Sequence, residues 1–295
     1  MSCTTARNVY FLYNTKDMKK EVVTSAACRA LRTKVYRYFE HNQREFSWRK
    51  TRDPYHVFVS EVMLQQTQTS RVEEKFPAFI AAFPTVKKLA QSPLSAVLTV
   101  WQGMGYNRRA LFLQKAAQEM MRRGNGTVPR TVEELESLPG IGPATARSIA
   151  AYAFDLPVVF IETNIRTVFI HEFFAGRNNV TDDDIRPFVE KTLDKKNPWK
   201  WYNALMDYGV MLKDKHPNPG RRSAQYVRQA PFAASDRKIR GQIIRLVTQS
   251  GSVTKKRMYA LTKASPIRVD RCIVALQTEG FLSFSEDGAS YSIKE

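Results

Sequence analysis

Metal-binding cysteine patterns are absent from this 295-residue sequence. Its three cysteines, Cys3, Cys28 and Cys272, stand at unrelated spacings, and no two of them form a CxxC pair. A zinc ribbon or a four-cysteine iron–sulfur site is therefore excluded, since each needs more cysteines in paired motifs. The four histidines are equally dispersed. Any chemistry in this chain is expected to depend on carboxylates.

Long hydrophobic runs are also absent. The longest apolar stretches, such as 149–154 and 158–161, fall far short of the roughly 18 residues that a membrane span needs. The apolar patch at 9–13 is too short for the core of a signal peptide, and no small-residue cleavage site follows it. We therefore expect an intracellular protein in a reducing compartment, cytoplasmic and nucleoid-associated in a bacterium, with no membrane association.

Acidic residues are scarce beside basic ones. The chain has 46 Lys and Arg against 28 Asp and Glu, which gives a formal net charge of +18 and a pI near 9.9. This excess favours a polyanionic partner, with nucleic acid ahead of an anionic lipid surface. Some soluble proteins are basic for other reasons, so the charge alone identifies no function.

Strand-like alternation is nearly absent over most of the chain. Residues 21–212 show a dense series of amphipathic helical patterns with prolines at or just before their beginnings, which predicts an all-helical domain. Residues 1–20 carry no clear period and are predicted to be a flexible extension. Residues 213–235 hold three prolines and five basic residues against one acid, which predicts a basic linker or extended loop.

The C-terminal region, 236–295, combines three predicted helices with a two-stranded hairpin. These elements lie at about 240–249, 254–262, 266–279 and 281–293. Their order is typical of a winged helix-turn-helix, an α+β domain. Arg268 and Arg271 lie on the predicted recognition helix and are candidate DNA contacts. Small winged-helix domains also dock onto proteins, and that alternative stays open.

The segment LPGIGPATA, residues 138–146, is the most distinctive motif. Gly140 and Gly142 allow a tight turn between two helices, and the following proline suits the first turn of the second helix. Free backbone N–H groups at a helix N-terminus bind a phosphate without a basic side chain. The motif therefore predicts a helix-hairpin-helix that contacts a DNA backbone, with Thr145 as a further contact. A purely structural turn is the alternative.

Two glutamates stand in positions suited to chemistry. Glu162 follows the apolar run 158–161 and precedes a predicted helix, whose dipole stabilises an ionised carboxylate. Glu61 is flanked by apolar residues, and burial raises the pKa of such a carboxyl towards use as a proton donor. The alternatives are a charge–dipole partner at 162 and an ion-paired helix-face glutamate at 61. Amides and a hydroxyl follow at 65–68, where they suit hydrogen bonds to base edges.

Several motifs together resemble the helix-hairpin-helix DNA glycosylases, and within them the MutY-type adenine glycosylases. The resemblance covers roughly 35–212 and rests on WR at 48–49, DPY at 53–55, SEVMLQQTQT at 60–69, FPTVKKLA at 83–90, WQGMGYNRRA at 101–110, LPGIGPATA at 138–146 and ETNIRTV at 162–168. It implies an all-α helix-hairpin-helix glycosylase domain of two helical lobes. It also implies a base-excision-repair enzyme that hydrolyses the N-glycosidic bond of a mispaired base in double-stranded DNA. The base most strongly implied is adenine opposite 8-oxoguanine or guanine.

The resemblance also implies roles for individual residues. Glu61 would donate a proton to the adenine ring, and Glu162 would occupy the position of the family's catalytic aspartate. Three polar residues would probe the mispair, a tyrosine would wedge beside the orphan base, and an arginine of the last motif would add a DNA contact. These residues are Gln65, Gln66, Thr67, Tyr106 and Arg166.

Three departures from the family pattern matter. Glu162 replaces an aspartate. Ala144 stands where bifunctional relatives carry a Schiff-base lysine, which predicts a monofunctional enzyme without an imine intermediate. The cysteine cluster usually found after 200–212 is missing, and with it the family's 8-oxoguanine-reading module, so no iron–sulfur cluster is expected. The basic stretch that follows, with Arg221 and Arg222, would wrap DNA instead.

The remaining expectations concern ligands, assembly and rival functions. No metal or cofactor is expected, and only a monovalent cation at the hairpin is left open. The protein is predicted to act as a monomer. One alternative function is a thymine or uracil mismatch glycosylase, which would need Glu61 less because a pyrimidine has no N7. The other is a non-catalytic winged-helix DNA-binding protein.

Overall fold

Capping side chains set where several helices begin. The computed structural model describes residues 24–228, 232, 235–285 and 288–295, so the predicted extension at 1–20 lies outside the described residues. The hydroxyls of Thr24, Thr85 and Thr131 each accept a hydrogen bond from a backbone N–H in the first turn of the helix that follows. Over 24–212 the described elements are helices, which confirms the predicted helical region.

The helices are α1 (Ser25–Asn42), α2 (Pro54–Leu64), α3 (Thr69–Ala82), α4 (Val86–Gln91), α5 (Leu94–Trp101), α6 (Arg108–Gly124), α7 (Val132–Glu136), α8 (Pro143–Phe154), α9 (Thr163–Phe173), α10 (Asp182–Thr192), α11 (Pro198–Lys215), α12 (Asp236–Ser250), α13 (Lys255–Thr262) and α14 (Pro266–Thr278). The strands are β1 (Ser252–Val253), β2 (Leu282–Phe284) and β3 (Tyr291–Ile293). Short 3₁₀ helices occupy Ser47–Lys50 and Pro219–Arg222.

Two hydrophobic cores divide the helical region into lobes. The first core lies among α2 to α8 and includes the fully buried Phe58, Phe79 and Trp101. The second lies among α1 and α9 to α11 and includes the fully buried Phe169 and Trp201. The chain crosses from the first lobe to the second between α8 and α9, so residues of both lobes meet there.

The hairpin at 138–146 joins α7 to α8. Gly140 has φ +78°, and a Cβ built on it would lie 2.6 Å from Cβ of Phe112, so only glycine fits this turn. Gly142 precedes α8, which has no side-chain cap, and a Cβ at that position would meet nothing within 4 Å. The first turn of α8 therefore presents its N–H groups on an open surface, as a phosphate site requires.

The C-terminal region has the predicted three helices and hairpin, together with an additional short strand. β1, β3 and β2 form an antiparallel sheet in that order, in which Ser283 pairs with Ser292 and Val253 pairs with Tyr291. The predicted turn residues 286–287 lie outside the described residues. Helix α12 packs on α5, and its buried residues continue the first core. The assignment of this region as a winged helix stays a prediction.

The first part of the predicted linker packs on the second lobe. Helix α11 extends to Lys215, and the 3₁₀ helix that follows buries Pro219 and Gly220. A Cβ on Gly220 would lie 2.8 Å from Oγ1 of Thr167, so this segment lies directly against α9. Ser223 then forms a parallel bridge with Val180. This differs from the predicted linker because these small and apolar residues pack on the lobe.

Arg109 connects the end of α2 to the loop before α6. Its guanidinium is buried and donates hydrogen bonds to the carbonyl oxygens of Val62, Met63, Gln65, Met104 and Gly105, at 2.7 to 3.2 Å. Burial lowers the pKa of Arg109 to about 10, which leaves it cationic at neutral pH. One side chain thus satisfies carbonyls from two segments that carry predicted DNA contacts.

We expect Arg109→Lys to destabilise the protein by roughly 2–5 kcal/mol. An ammonium cannot present the planar set of donors, so several buried carbonyls lose their partner. Arg108→Lys is the matched control because that neighbouring side chain is 59% exposed, and it should change stability by less than about 0.5 kcal/mol. Thermal and urea unfolding measure both; equal behaviour of the two variants would contradict the role given to Arg109.

Candidate active site

A cavity of about 520 Å³ lies where the two lobes meet, between α2, α8 and the beginning of α9. Both predicted catalytic residues, Glu61 and Glu162, line it. Its aromatic lining residues are Phe46, Trp48, Tyr152, Phe160 and Trp199. The rings of Phe46 and Trp48 stack with centroids 4.5 Å apart and an interplanar angle of 5°. Aromatic walls around two carboxyl groups suit a planar, polar-edged ligand.

Glu61 projects from α2 into this cavity, and its side chain is partly buried. Burial raises the pKa of Glu61 to about 7, and the nearby Glu162 adds to the shift, while the Ser148 hydroxyl and the Arg49 guanidinium oppose it. Such a carboxyl keeps its proton in a large fraction of molecules at neutral pH.

Ser148 of α8 is the direct hydrogen-bond partner of Glu61. Its Oγ lies 2.6 Å from Oε2 of Glu61 and 3.0 Å from the carbonyl oxygen of Thr145. A hydroxyl has one proton, so it donates to one of these at a time. When Glu61 is ionised, Ser148 donates to the carboxylate. When Glu61 is protonated, the carboxyl is able to donate to Ser148, which then donates to Thr145. The pair therefore accommodates both charge states.

Glu162 caps α9 with its side chain. Its Oε1 accepts hydrogen bonds from the backbone N–H groups of Asn164 at 2.5 Å and Ile165 at 2.8 Å. Burial raises the pKa of Glu162, while these N–H groups and the Lys213 ammonium favour the ionised form. These opposing groups are more numerous at Glu162 than at Glu61, so they favour the ionised form more strongly at Glu162.

Lys213 lies behind Glu162, at the end of α11. Its Nζ donates to Oδ1 of Asn164 at 2.6 Å, and Nδ2 of Asn164 lies 3.4 Å from Oε2 of Glu162. Burial lowers the pKa of Lys213, while the Glu162 carboxylate opposes that shift. Lys213 is not among the residues that line the cavity. Sequence reasoning placed it in the linker and missed its approach to the carboxylate.

A buried ion pair forms another wall of the cavity. Asp207 of α11, whose side chain is 1% exposed, accepts hydrogen bonds from the guanidinium groups of Arg44 and Arg49. Both arginines line the cavity and come from the segment between α1 and α2. Asp207 therefore ties the WR motif at 48–49 to the second lobe, and it places positive charge near the two carboxyls.

The predicted mispair-probing residues form the rim of the cavity. Gln65, Gln66 and Thr67 all line it, and Gln66 has φ 53°, a conformation that non-glycine residues seldom adopt. Nε2 of Gln65 donates to Oγ1 of Thr145 at 3.1 Å, which links this turn to the hairpin helix. Tyr106, also at positive φ (47°), lies on the far side of the turn and is 37% exposed.

Other predicted DNA contacts form ion pairs or hydrogen bonds with other residues of the protein. Arg166 forms a bidentate ion pair with Asp182 at 2.7 and 2.8 Å. The guanidinium of Arg222 donates to backbone carbonyls of Ile170, Phe174 and Arg177 at the end of α9, so the structure gives it a helix-capping position rather than a surface one. Arg268 pairs with Asp236. By contrast, Arg221 and Arg271 have exposed side chains.

Among the described ranges, no group of three or more His, Cys, Asp or Glu side chains is arranged to hold a metal ion. The predicted absence of an iron–sulfur cluster and the open question of a cation at the hairpin stay predictions. No helix in the described part of the chain is long and apolar enough to cross a membrane.

Comparison with known proteins identifies the family. Residues 59–265 match the family described as HhH-GPD superfamily base excision DNA repair protein. The chain belongs to this superfamily. It is a DNA glycosylase of base excision repair, which confirms what the motifs predict at that level.

Named relatives of this DNA glycosylase include two bacterial proteins. The adenine DNA glycosylase of Buchnera aphidicola subsp. Baizongia pistaciae is 33% identical over 179 residues, 59% of this chain and 50% of that protein. The adenine DNA glycosylase of Mycolicibacterium smegmatis is 29% identical over 269 residues, 85% of this chain and 92% of that protein. The chain thus spans half the length of the first relative and most of the second.

A solved thermostable thymine-DNA glycosylase has a TM-score of 0.58 and 21% identity to this chain. The similarity covers 64% of this chain and 88% of the other. At this identity the likeness shows a shared fold.

For this DNA glycosylase we expect Ser148→Ala to raise the pKa of Glu61 further, because the variant removes the hydrogen bond that favours the ionised form. The infrared carboxyl stretch of Glu61, which is absent from the spectrum of Glu61→Gln, is followed as a function of pH to measure this pKa. Ser60→Ala is the control, since that neighbouring buried hydroxyl donates to the carbonyl of Val57. An unchanged Glu61 titration in Ser148→Ala would show that the hydroxyl does not set this pKa.

Proposed function

We propose that this DNA glycosylase hydrolyses the N-glycosidic bond of adenine mispaired with 8-oxoguanine or guanine. The observation that carries the proposal is Glu61, a carboxyl in an aromatic-walled cavity with its pKa raised to about 7. The two relatives named adenine DNA glycosylase support it. A purine offers N7 as a proton acceptor, and protonation there makes the base a better leaving group.

The reaction begins when the mispaired nucleotide leaves the duplex and its base enters the cavity, which costs a few kcal/mol and costs least for a mispair. Glu61 donates its proton to N7 of the adenine, and the N-glycosidic bond breaks. The positive charge that develops on the sugar is stabilised by the ionised Glu162 at the end of the cavity. Water then adds to C1′ of the sugar and loses a proton, which completes the hydrolysis.

A monofunctional mechanism fits the amines near the cavity. Ala144 has no nucleophile to offer where it lines the wall. The Lys213 ammonium is bonded to Asn164 on the far side of Glu162, outside the lining of the cavity. An imine with the sugar would require a lysine that reaches C1′. Hydrolysis without strand cleavage is therefore the expected outcome.

The substrate is tested with duplexes that contain A:8-oxoguanine, A:G, T:G and U:G pairs under single-turnover conditions. We expect adenine release from the first two and none from the pyrimidine mispairs. Release of thymine or uracil instead would favour the mismatch-glycosylase alternative. Binding without any abasic product would favour a non-catalytic DNA-binding protein.

The role of Glu61 is tested on the preferred duplex. Glu61→Gln should lower the cleavage rate by about 100-fold or more while DNA affinity is retained, because an amide cannot donate the proton. The wild-type rate should fall as the pH rises through about 7, since only the protonated carboxyl is active. Glu40→Gln, an exposed change of the same kind, is the control. A near-normal rate in Glu61→Gln would remove Glu61 as the acid.

The charge of Glu162 is tested by two substitutions. Glu162→Gln keeps an oxygen that caps α9 but loses the negative charge, so cleavage should slow by roughly 100-fold with little change in Tm. Glu162→Asp keeps the charge and the cap and should remain active. Full activity of the glutamine variant would leave Glu162 as a helix cap alone.

A further inference from the structure

A second and larger groove, of about 1360 Å³, lies between the first lobe and α12 of the C-terminal region. It shares the turn 65–68 with the catalytic cavity, so that turn is a wall between the two. Tyr106 and Gly140 also line the groove. The groove therefore runs beside the surfaces that the family motifs predict to contact DNA, but α12 is not one of those motifs.

The charge of the groove is strongly one-sided. Seven arginine or lysine residues line it, against one carboxylate, Glu279. That carboxylate forms an ion pair with Arg240 at 2.5 Å and lies 3.7 Å from Arg108. The negative charge inside the groove is thus matched by the protein itself, and the remaining positive charge is complementary to a polyanion.

One face of α12 combines basic side chains with a glycine, and this face lines the groove. Arg237, Gly241 and Arg245 recur at a spacing of four, with Lys238 beside them, and all four line the groove. A glycine within a helix lowers its stability relative to alanine. A Cβ on Gly241 would meet nothing within 4 Å, so internal packing does not require glycine there. The face instead has a position without a side chain between two arginines, which leaves a gap in front of Gly241.

Arg237 also joins α12 to the predicted wedge residue. Its Nη1 donates to the hydroxyl of Tyr106 at 2.9 Å, and its guanidinium carbon lies 5.8 Å from the centre of the tyrosine ring. The guanidinium of Arg109 lies 5.5 Å from the same ring. Tyr106 is therefore held from both sides, by the first lobe and by the C-terminal region.

We propose that this groove binds the sugar–phosphate backbone of the DNA strand opposite the excised base, and that α12 supplies the contacts through Lys238, Arg245 and the gap at Gly241. The proposal rests on the proposed function in one respect: a nucleotide enters the catalytic cavity. If one strand delivers its nucleotide on one side of the turn 65–68, the complementary strand lies on the other side, where the groove is. The helix of the C-terminal region that contacts DNA is then α12, not α14 with its predicted recognition residues.

The test measures duplex affinity in a Glu61→Gln background, where no base is released, so a failure of the proposed chemistry does not affect it. Phosphates near the mispair are neutralised as methylphosphonates in two separate duplexes. In one duplex they lie in the opposite strand, and in the other they lie in the strand that carries the mispaired base. The double variant Lys238→Ala with Arg245→Ala is compared with Lys256→Ala and Arg257→Ala, an equal loss of exposed charge on α13 of the same region.

We expect the groove variant to bind about tenfold more weakly and its slope of log K against log salt to fall by about 1.8, for two phosphate contacts. Neutral phosphates in the opposite strand should weaken the parent protein but not this variant. Gly241→Gln keeps every charge and fills the gap, so it should weaken binding without lowering Tm. Equal losses in the α13 control, or continued sensitivity of the groove variant to opposite-strand neutralisation, would overturn the proposal.

Discussion

The cavity that holds Glu61 and the larger basic groove both depend on the hydrogen bonds of the buried Arg109 guanidinium. Its geometry is strict, because one planar group donates hydrogen bonds both to carbonyls at the end of α2 and to a carbonyl in the loop before α6. Those two segments carry the turn 65–68 and Tyr106, each with a residue at positive φ. A non-glycine residue at positive φ is strained, and it stays in that conformation only where contacts with the surrounding structure hold it. Arg109 provides such contacts, so the turn 65–68 stays in place as the wall between the cavity that holds Glu61 and the basic groove.

Local hydrogen-bond donors also make the pKa values of the two carboxyl groups differ. Burial alone would raise the pKa of both and make them alike. At Glu162 two backbone N–H groups and a nearby ammonium favour the charge. At Glu61 a single serine hydroxyl is the hydrogen-bond partner, and it serves either charge state. In the proposed mechanism, the difference between an acid and a charge stabiliser therefore arises from helix geometry: Glu162 precedes a helix, whereas Glu61 lies within one.

What the sequence predicted well was local. Helix beginnings, the glycine turn at 140 and the capping position of Glu162 depend on neighbours in the chain, and the structure has them where expected. The partner of Glu61 comes from a residue 87 positions away, and no spacing rule indicates Ser148. The second lobe's use of the predicted linker was missed for the same reason. Proline and basic residues suggested a loop, but Pro219 is buried against α9.

Long-range partners also decide how a net charge of +18 is to be interpreted. Arg166, suggested by a family motif, and Arg222, suggested by the basic stretch, bond to a carboxylate and to helix carbonyls within the protein. Such charges stabilise the fold and contribute little to a surface potential, because their fields are partly cancelled at short range. By contrast, Lys238 and Arg245 on the α12 side of the larger groove are exposed, and Glu279 is the one acid among the lining residues there. Composition therefore favours a polyanionic partner, whereas only the pairing of each arginine indicates which surface is available to it.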